Sequence, residues 1–384
     1  MKILILAPYY NQLFSDHIKT LGGVEMMVTK QLPILSKYYE VCVAYCGQLD
    51  PYYEQYGTFH KVTDETRENL SESIDKRTWS RSLKKKYEKI AHVVNPDIVI
   101  SHLHGTGPAK SLSRYFPVVH QIHTIFDAPM LLKNHYPSYL EIIKNGGRIY
   151  CSPQTERETK KNLIKNNIYT GQEFVTDHSI SYTVFDDEFY QHHVLPTKNY
   201  SFMAGRIEEK YIDKNFHKID SSGAKTKMFI VGQHKKILEQ LEQSTNTELY
   251  HNRPRNELIR ELRNSTCTII ANPLETASIV AMEGMMLGIP PISFVRKNGD
   301  KSGIQDYAEK CVTGLLPPIS FDDSNWIEKL KLNISHYEQF TTNQRYDISS
   351  KTRNLFSEES WVTEINSLLE SAKCKNKTED LGLL

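Results

Sequence analysis

Short apolar runs alternate with longer amphipathic segments along most of the chain. In the first half these runs are KILILAP, EVCVAY, DIVISH, PVVHQIH and RIYCS, at 2–8, 40–45, 97–102, 117–123 and 148–152. In the second half they are YSFMAGR, KMFIVG, CTIIANP and PISFV, at 200–206, 227–232, 267–273 and 291–295. Continuous apolar strands of this kind are typical of parallel sheets that are covered on both faces. The pattern therefore predicts an α/β protein.

The alternation stops once, in the irregular aromatic and acidic segment YTVFDDEFYQHHVLPTKN, and then begins again. We therefore expect two α/β domains, 1–196 and 197–357, with the boundary near Pro196. After them, Trp361, Ile365 and Leu369 share one face of a helix predicted over 358–375, which gives that helix an apolar stripe to bury. Two such domains would leave a cleft beyond the carboxyl ends of their strands, where open α/β sheets bind ligands.

Composition and charge indicate which general class of protein the chain belongs to. The formal net charge is +1, which gives no overall attraction to nucleic acid or to acidic membranes. No apolar run approaches the roughly 18 residues of a membrane span. The six cysteines form no CxxC pair, which favours reduced thiols. These features predict a cytoplasmic globular protein.

An acidic residue interrupts an apolar helix face in PLETASIVAMEGMMLGIPPIS, residues 273–293. At helical spacing Glu283 falls on the same face as Ile279, where a carboxylate is costly unless a cation, hydroxyl or amide compensates it. Glu275 lies at the mouth of the same helix, so both carboxylates can reach one ligand along it. The first amides of the helix would favour an anion there; they belong to Thr276, Ala277 and Ser278. A strand-to-helix turn without a ligand is the alternative interpretation.

The spacing of these glutamates, E-x7-E, resembles the signature of GT4-type glycosyltransferases of GT-B fold. Other segments resemble the same family: GGVE at 22–25, VVHQIH at 118–123, AGRIEEKYIDKN at 204–215 and GIQDYAEKCVTGLL at 303–316. The resemblance implies two Rossmann-like domains facing a central cleft. It also implies that the C-terminal helix crosses back to the first domain.

The resemblance assigns roles in donor binding to residues of the second domain. Glu283 would accept hydrogen bonds from the two ribose hydroxyls of a nucleotide sugar, and Glu275 would hold a hydroxyl of the donor sugar. Arg206 and Lys214 would neutralise the diphosphate as the sugar leaves. Lys214 is preferred to Lys210 because an asparagine follows it. The amides of 276–278 would support the diphosphate.

The resemblance also implies that the first domain contributes a glycine turn and a histidine to the site that binds the donor. Gly22 and Gly23 would let the backbone approach phosphate or sugar closely. By resemblance His123 faces the donor sugar and shares in the proton transfers. His102, His104 and His120 are interpreted as structural or acceptor-side residues.

The implied reaction is transfer of a sugar from a nucleotide-sugar donor, expected to be UDP-linked, to an acceptor hydroxyl with retention of configuration. The sequence contains no D-x-D motif, so no metal is expected, and no other cofactor is required. The expected acceptor is a glycan or a lipid-linked glycan. Hydroxymethylated bases of phage DNA are the alternative acceptor, because VVHQIHTI also resembles phage DNA alpha-glucosyltransferases. A nucleotide-sugar epimerase or a non-catalytic sugar-nucleotide-binding subunit is the alternative of another class.

A basic segment, DKRTWSRSLKKKYEKI at 75–90, interleaves lysines and arginines with Trp79 and Tyr87. We interpret it first as the solvated face of a helix. The other interpretations are a grip on nucleic-acid phosphates and peripheral contact with an anionic membrane at its inner face, where lipid-linked acceptors would lie.

Overall fold

The computed structural model describes residues 1–8, 23–66, 76–123, 129–168, 177–178, 199–208, 215–273, 275, 278–297 and 299–380. The chain forms two compact units. Unit 1 comprises residues 1–185 and 357–384, and unit 2 comprises residues 186–356. The boundary predicted near Pro196 falls outside the described residues. Within the described residues, no helix is both long and apolar enough to cross a membrane.

Unit 1 is built on a seven-stranded sheet whose strand pairs are all parallel. Its strands are β1 (Lys2–Leu6), β2 (Glu40–Cys46), β3 (Thr58–Thr63), β4 (Ile98–Ser101), β5 (Val118–Ile122), β6 (Arg148–Cys151) and β7 (Asp177–His178). They lie in the order β3-β2-β1-β4-β5-β6-β7. The helices between them are α1 (Gly23–Tyr38), α2 (Lys76–Val94), α3 (Gly107–Leu112), α4 (Pro129–Lys144) and α5 (Pro153–Lys165), with a 3₁₀ helix at Pro51–Tyr56.

Unit 2 repeats this plan with a six-stranded sheet, again parallel at every strand pair. Its strands are β8 (Ser201–Glu208), β9 (Thr226–Gln233), β10 (Thr247–His251), β11 (Thr268–Ile270), β12 (Pro291–Val295) and β13 (Ile319–Ser320), in the order β10-β9-β8-β11-β12-β13. Its helices are α6 (Phe216–Ser221), α7 (Lys235–Glu242), α8 (Arg255–Arg263), α9 (Ile279–Met286), α10 (Gln305–Cys311), α11 (Trp326–Glu338) and α12 (Thr342–Leu355). The prediction of an α/β protein with two Rossmann-like domains is confirmed.

The continuous apolar strands are explained by a core on each face of the sheet. Successive side chains of a strand point to opposite faces. In β1, Leu4 and Leu6 pack in one core, whereas Ile3 and Ile5 pack in the other. A central strand such as KILIL therefore needs an apolar residue at every position, because neither face meets water.

The last helix, α13 (Glu358–Asp380), belongs to unit 1 although it follows the whole of unit 2. Trp361, Ile365 and Leu369 are buried in the core that contains Ile3 and Ile5 of β1. At its start, Glu358 forms an ion pair of 2.8 Å with Lys37 of α1. The predicted apolar stripe and the return of this helix to the first domain are confirmed.

Candidate functional site

The strands β8 and β11 are neighbours in the sheet of unit 2 but are not consecutive in the chain. From β8 the chain adds β9 and β10 on one side and then places β11 on the other side. Open parallel sheets bind ligands at such a point, beyond the carboxyl ends of the strands. Arg206 lies near the carboxyl end of β8, and Glu275 follows β11. Two of the predicted site residues therefore belong to the edge where this fold binds ligands.

Asn215 connects the segments that follow these two strands. Its Nδ2 donates a hydrogen bond of 2.8 Å to the carbonyl of Ala271, just after β11. Its φ of 59° lies in the left-handed region, which asparagine adopts more readily than most residues. Asn215 therefore fixes the position of the turn from which Glu275 projects.

Glu275 is held in that turn by Asn272. The amide of Glu275 donates to the carbonyl of Asn272 at 3.2 Å, and Asn272 Nδ2 donates to Glu275 Oε2, also at 3.2 Å. Burial and the nearby Glu275 carboxylate both raise the pKa of Tyr307 well above its ordinary value. Tyr307 therefore stays protonated and donates to the carbonyl of Ser278 at 3.4 Å.

The helix α9 begins directly after Ser278, which is its N-terminal cap. Ser278 Oγ accepts a hydrogen bond of 3.3 Å from the amide of Ala281. Gly284 lets the helix approach β11, because a Cβ there would lie 2.8 Å from Thr268 Cγ2. Gly288, at φ 77°, then ends the helical segment. The short helix is thus capped and packed closely on the strand that precedes it.

Glu283 is fully buried on α9, at 0% exposure. Its Oε1 accepts a hydrogen bond from Nη2 of Arg255, the first residue of α8. Its Oε2 is buried and has no hydrogen-bond partner among the described residues. The predicted burial of this carboxylate is therefore correct, and one of its two oxygens has no donor among the described residues.

Arg255 was not predicted as a site residue. It stands 28 residues before Glu283, after the strand β10. Its side chain is 30% exposed, so the guanidinium connects a buried carboxylate to solvent. The signal in the sequence is its place in HNRPRNEL, at the first turn after an edge strand, but arginines are common in such turns.

In unit 1, His102 and His123 follow the neighbouring strands β4 and β5. His102 Nδ1 lies 3.3 Å from His123 Nε2, and the two rings are stacked with centroids 5.4 Å apart. Burial lowers the pKa of His102 to about 3. Burial and the neighbouring histidines also lower the pKa of His123 well below its ordinary value. Both imidazoles are therefore neutral at neutral pH.

His120 has a structural environment. It is 1% exposed and its Nδ1 lies 3.2 Å from Ser101 Oγ. Burial, with a contribution from neighbouring histidines, lowers its pKa to about 3. His102 is buried as well, but it contacts His123, whereas the partner of His120 is a strand residue.

Several predicted site residues fall outside the described part of the chain, namely Gly22, Lys210, Lys214, Thr276 and Ala277. The structure places Arg206 in β8 and Gly23 at the first position of α1. Among the described residues, no group of three or more histidine, cysteine, aspartate or glutamate side chains converges as metal ligands would.

The basic segment forms part of α2, and its described side chains divide into two faces. Arg81, Lys85, Lys86 and Lys89 are exposed. Tyr87, in contrast, is fully buried and donates to the carbonyl of Ala7 at 3.1 Å. This tyrosine therefore belongs to the core, and the solvated face that the sequence predicts consists of the charged residues.

Comparison with known proteins finds a family match over part of the chain and a shared fold for nearly the whole chain. Residues 185–353 match the model of the family described as glycosyl transferases group 1. No curated protein sequence matches the chain. Anabaena HepE, solved in complex with UDP and glucose, shares the fold with a TM-score of 0.64 at 16% identity, over 97% of this chain and 100% of that one.

Two synthases are similar to the same extent. Sucrose-phosphate synthase from Thermosynechococcus elongatus has a TM-score of 0.64 at 12% identity, over 96% of this chain and 98% of that one. The catalytic domain of starch synthase IV from Arabidopsis thaliana, bound to ADP and acarbose, has a TM-score of 0.63 at 12% identity, over 97% and 99%. The family match covers residues 185–353 and the similarity to these structures covers nearly the whole chain, so the chain has the GT-B fold and its unit 2 is similar to glycosyl transferases group 1.

Proposed function

We propose that unit 2 binds the nucleotide of the donor along α9, with Glu283 accepting hydrogen bonds from the ribose hydroxyls. The observation that supports this most strongly is the buried Glu283 carboxylate, whose Oε2 lacks a partner among the described residues. A buried acceptor without a donor is costly, and a ribose hydroxyl is a donor of the missing kind. The carboxylate belongs to a helix that begins at the ligand-binding edge of the sheet.

The donor sugar and diphosphate would lie at the amino end of the same helix. Glu275 would accept from a hydroxyl of the sugar, and the amides of 276–278 would receive the diphosphate. Arg206 and Lys214, or Lys210 in place of the latter, would supply the positive charge. A pair of cations can stabilise the leaving diphosphate without a bound metal ion, because it neutralises the charge that develops there.

The reaction we propose is metal-independent transfer with retention of configuration. The acceptor hydroxyl forms a bond to the anomeric carbon on the face from which the diphosphate departs. The bond between that carbon and the diphosphate oxygen breaks, and the acceptor proton passes to the leaving phosphate. His123 would hydrogen-bond the donor sugar as a neutral imidazole, consistent with its lowered pKa. Gly22 and Gly23 would let the backbone approach the substrate.

The donor we propose is UDP-linked, with a hexose or pentose as the sugar. A relative of the same fold, Anabaena HepE, was solved with UDP and glucose, which supports this choice. Calorimetric titration with UDP, ADP and GDP tests it, because the preferred nucleoside diphosphate should bind most tightly. Incubation with the matching nucleotide sugars then tests catalysis. A non-catalytic binding subunit would release no nucleoside diphosphate, and an epimerase would return a sugar of altered stereochemistry.

Replacing Glu283 by glutamine should weaken binding of the nucleoside diphosphate by about 1–3 kcal/mol, because an amide has one acceptor oxygen where the carboxylate has two. Titration calorimetry measures the change. Glu239→Gln, at an exposed position of α7, is the matched control and should bind as the wild type does. Unchanged affinity in Glu283→Gln would refute the ribose assignment.

The acceptor we propose is a glycan or a lipid-linked glycan, reached by peripheral contact with the inner face of a membrane. The exposed Arg81, Lys85, Lys86 and Lys89 of α2 support such contact, since each basic residue near an anionic surface contributes about 1 kcal/mol. The same charges would also suit phosphates of DNA, so hydroxymethylated bases remain the second candidate acceptor.

We expect the protein to sediment with anionic vesicles at low salt and to be released as salt rises, because surface charges are screened. Vesicles of neutral lipid are the control. Sugar transfer is measured in parallel on lipid-linked glycan and on hydroxymethylcytosine DNA. Transfer to the DNA alone would replace the glycan proposal with the DNA alternative. Neither vesicle binding nor transfer to either of these acceptors would leave a soluble glycan or a small molecule as the acceptor.

A further inference from the structure

The carboxylate of Glu283 has two oxygens in different situations. One oxygen is bound by Arg255, and the other has no partner among the described residues. The side chain is fully buried, and an isolated buried carboxylate is strongly unfavourable unless a cation and hydrogen bonds compensate it. Arg255 therefore supplies the charge compensation, while Oε2 still needs a hydrogen-bond donor.

The elements on each side explain how this arrangement is fixed. Gly284 and Thr268 bring α9 close to β11, so the helix has little freedom to turn. Arg255 is the first residue of α8, which follows the edge strand β10, and its side chain is only 30% exposed. The guanidinium contacts Oε1 of Glu283, whereas Oε2 has no partner among the described residues, so this contact restricts the rotation of the carboxylate.

We propose that Arg255 is a positioning residue of the donor site, which orients the carboxylate of Glu283 and presents Oε2 to the ribose hydroxyls. This inference rests on the donor site proposed above. Without the guanidinium, the buried carboxylate has no cation to compensate it and no fixed orientation. Arg255 would then act on the nucleotide through Glu283 and not by touching the nucleotide.

The test measures UDP affinity by titration calorimetry in the full chain. Arg255→Met removes the charge and keeps a side chain of similar reach, and we expect UDP affinity to fall about tenfold or more. Arg255→Lys keeps the charge and should recover part of that loss, which a purely space-filling role would not produce. Arg260→Met, at a 63% exposed position of the same helix, is the matched control for the loss of one positive charge and should bind as the wild type does.

A double variant separates positioning from direct contact. In Glu283→Gln the buried charge is gone, so adding Arg255→Met should cause no further loss of UDP affinity. A further loss of about tenfold would mean that Arg255 binds the nucleotide itself, and would overturn the inference. If the single variant Arg255→Met does not fold, the double variant can still be compared with Glu283→Gln. In that background there is no buried carboxylate for Arg255 to compensate.

The outcomes distinguish this inference from the donor site on which it rests. If Glu283→Gln weakens UDP binding and Arg255→Met does not, the donor site stands and the role of Arg255 is wrong. If neither substitution changes the affinity, both proposals fail. Thermal unfolding of each variant, with and without UDP, verifies that the measured losses come from folded protein.

Discussion

Replacing Trp361 by alanine should lower the free energy of unfolding of unit 1 by about 3–5 kcal/mol, as expected for truncation of a large buried aromatic side chain. Trp361 is 2% exposed and packs in the core on one face of the sheet. Ile365 and Leu369 continue the same stripe, so the substitution also loosens the contact of their helix with the sheet. The cavity left by the substitution is not easily filled, because the hydrogen bonds between the strands hold the sheet in place.

Amide hydrogen exchange followed by mass spectrometry measures this effect in each unit separately. We expect faster exchange in β1, β4 and β5, and unchanged exchange in the strands of unit 2. Ser367→Ala, at an exposed position of the same helix, is the matched control and should change neither. Equal exchange in the Trp361 and Ser367 variants would contradict the role of this helix in the core.

Replacing Gly288 by alanine should destabilise unit 2 for two separate reasons. At φ 77° an L side chain is strained, which costs about 1–2 kcal/mol. In addition, the new Cβ would lie 2.5 Å from the carbonyl oxygen of Arg345, and relieving such overpacking costs about 1–3 kcal/mol. The obstacle is backbone of α12 and cannot rotate away. Arg345 also donates to the carbonyls of Gly288 and Thr266, which fixes this contact further.

Gly299 allows the two costs to be separated. Its φ is 85°, but an added Cβ would meet no described atom within 4 Å. Gly299→Ala should therefore show only the conformational cost, and Gly288→Ala should be less stable by the overpacking contribution. Urea unfolding of the two variants measures the difference. Equal losses of stability would mean that the contact with Arg345 is easily relieved.

The central strands could be predicted from the sequence, but the four edge strands could not. The edge strands are β3 and β7 in unit 1 and β10 and β13 in unit 2. In β3, TFHKVT, only Val62 is buried, and β10, TELYH, is mostly half-buried. An edge strand has one partner and partial cover, so it needs no continuous apolar run. Its place is set by its neighbour in the sheet.

In the candidate site, too, features set by local sequence could be predicted, whereas features set by tertiary packing could not. The burial of Glu283 follows from helical spacing within one segment, and the sequence predicts it. Its partner Arg255 is determined by how α8 and α9 pack, and no local pattern contains that information. The pair of His102 and His123 likewise arises because two neighbouring strands end at one edge. The cations proposed for the diphosphate still rest on the sequence resemblance.

The return of the last helix to unit 1 has a consequence for synthesis of the protein on the ribosome. Trp361, Leu369 and Ala372 complete a core of unit 1, yet they are translated after the whole of unit 2. Domains tend to fold as units while the chain is being made, the earlier ones first. Here the unit that is translated first is completed last. All described elements of unit 2 have been made by Leu355, whereas unit 1 keeps an uncovered apolar face until its last helix is made. A nascent chain stalled before Trp361 would therefore expose that face, and would be the species most prone to aggregate or to bind a chaperone.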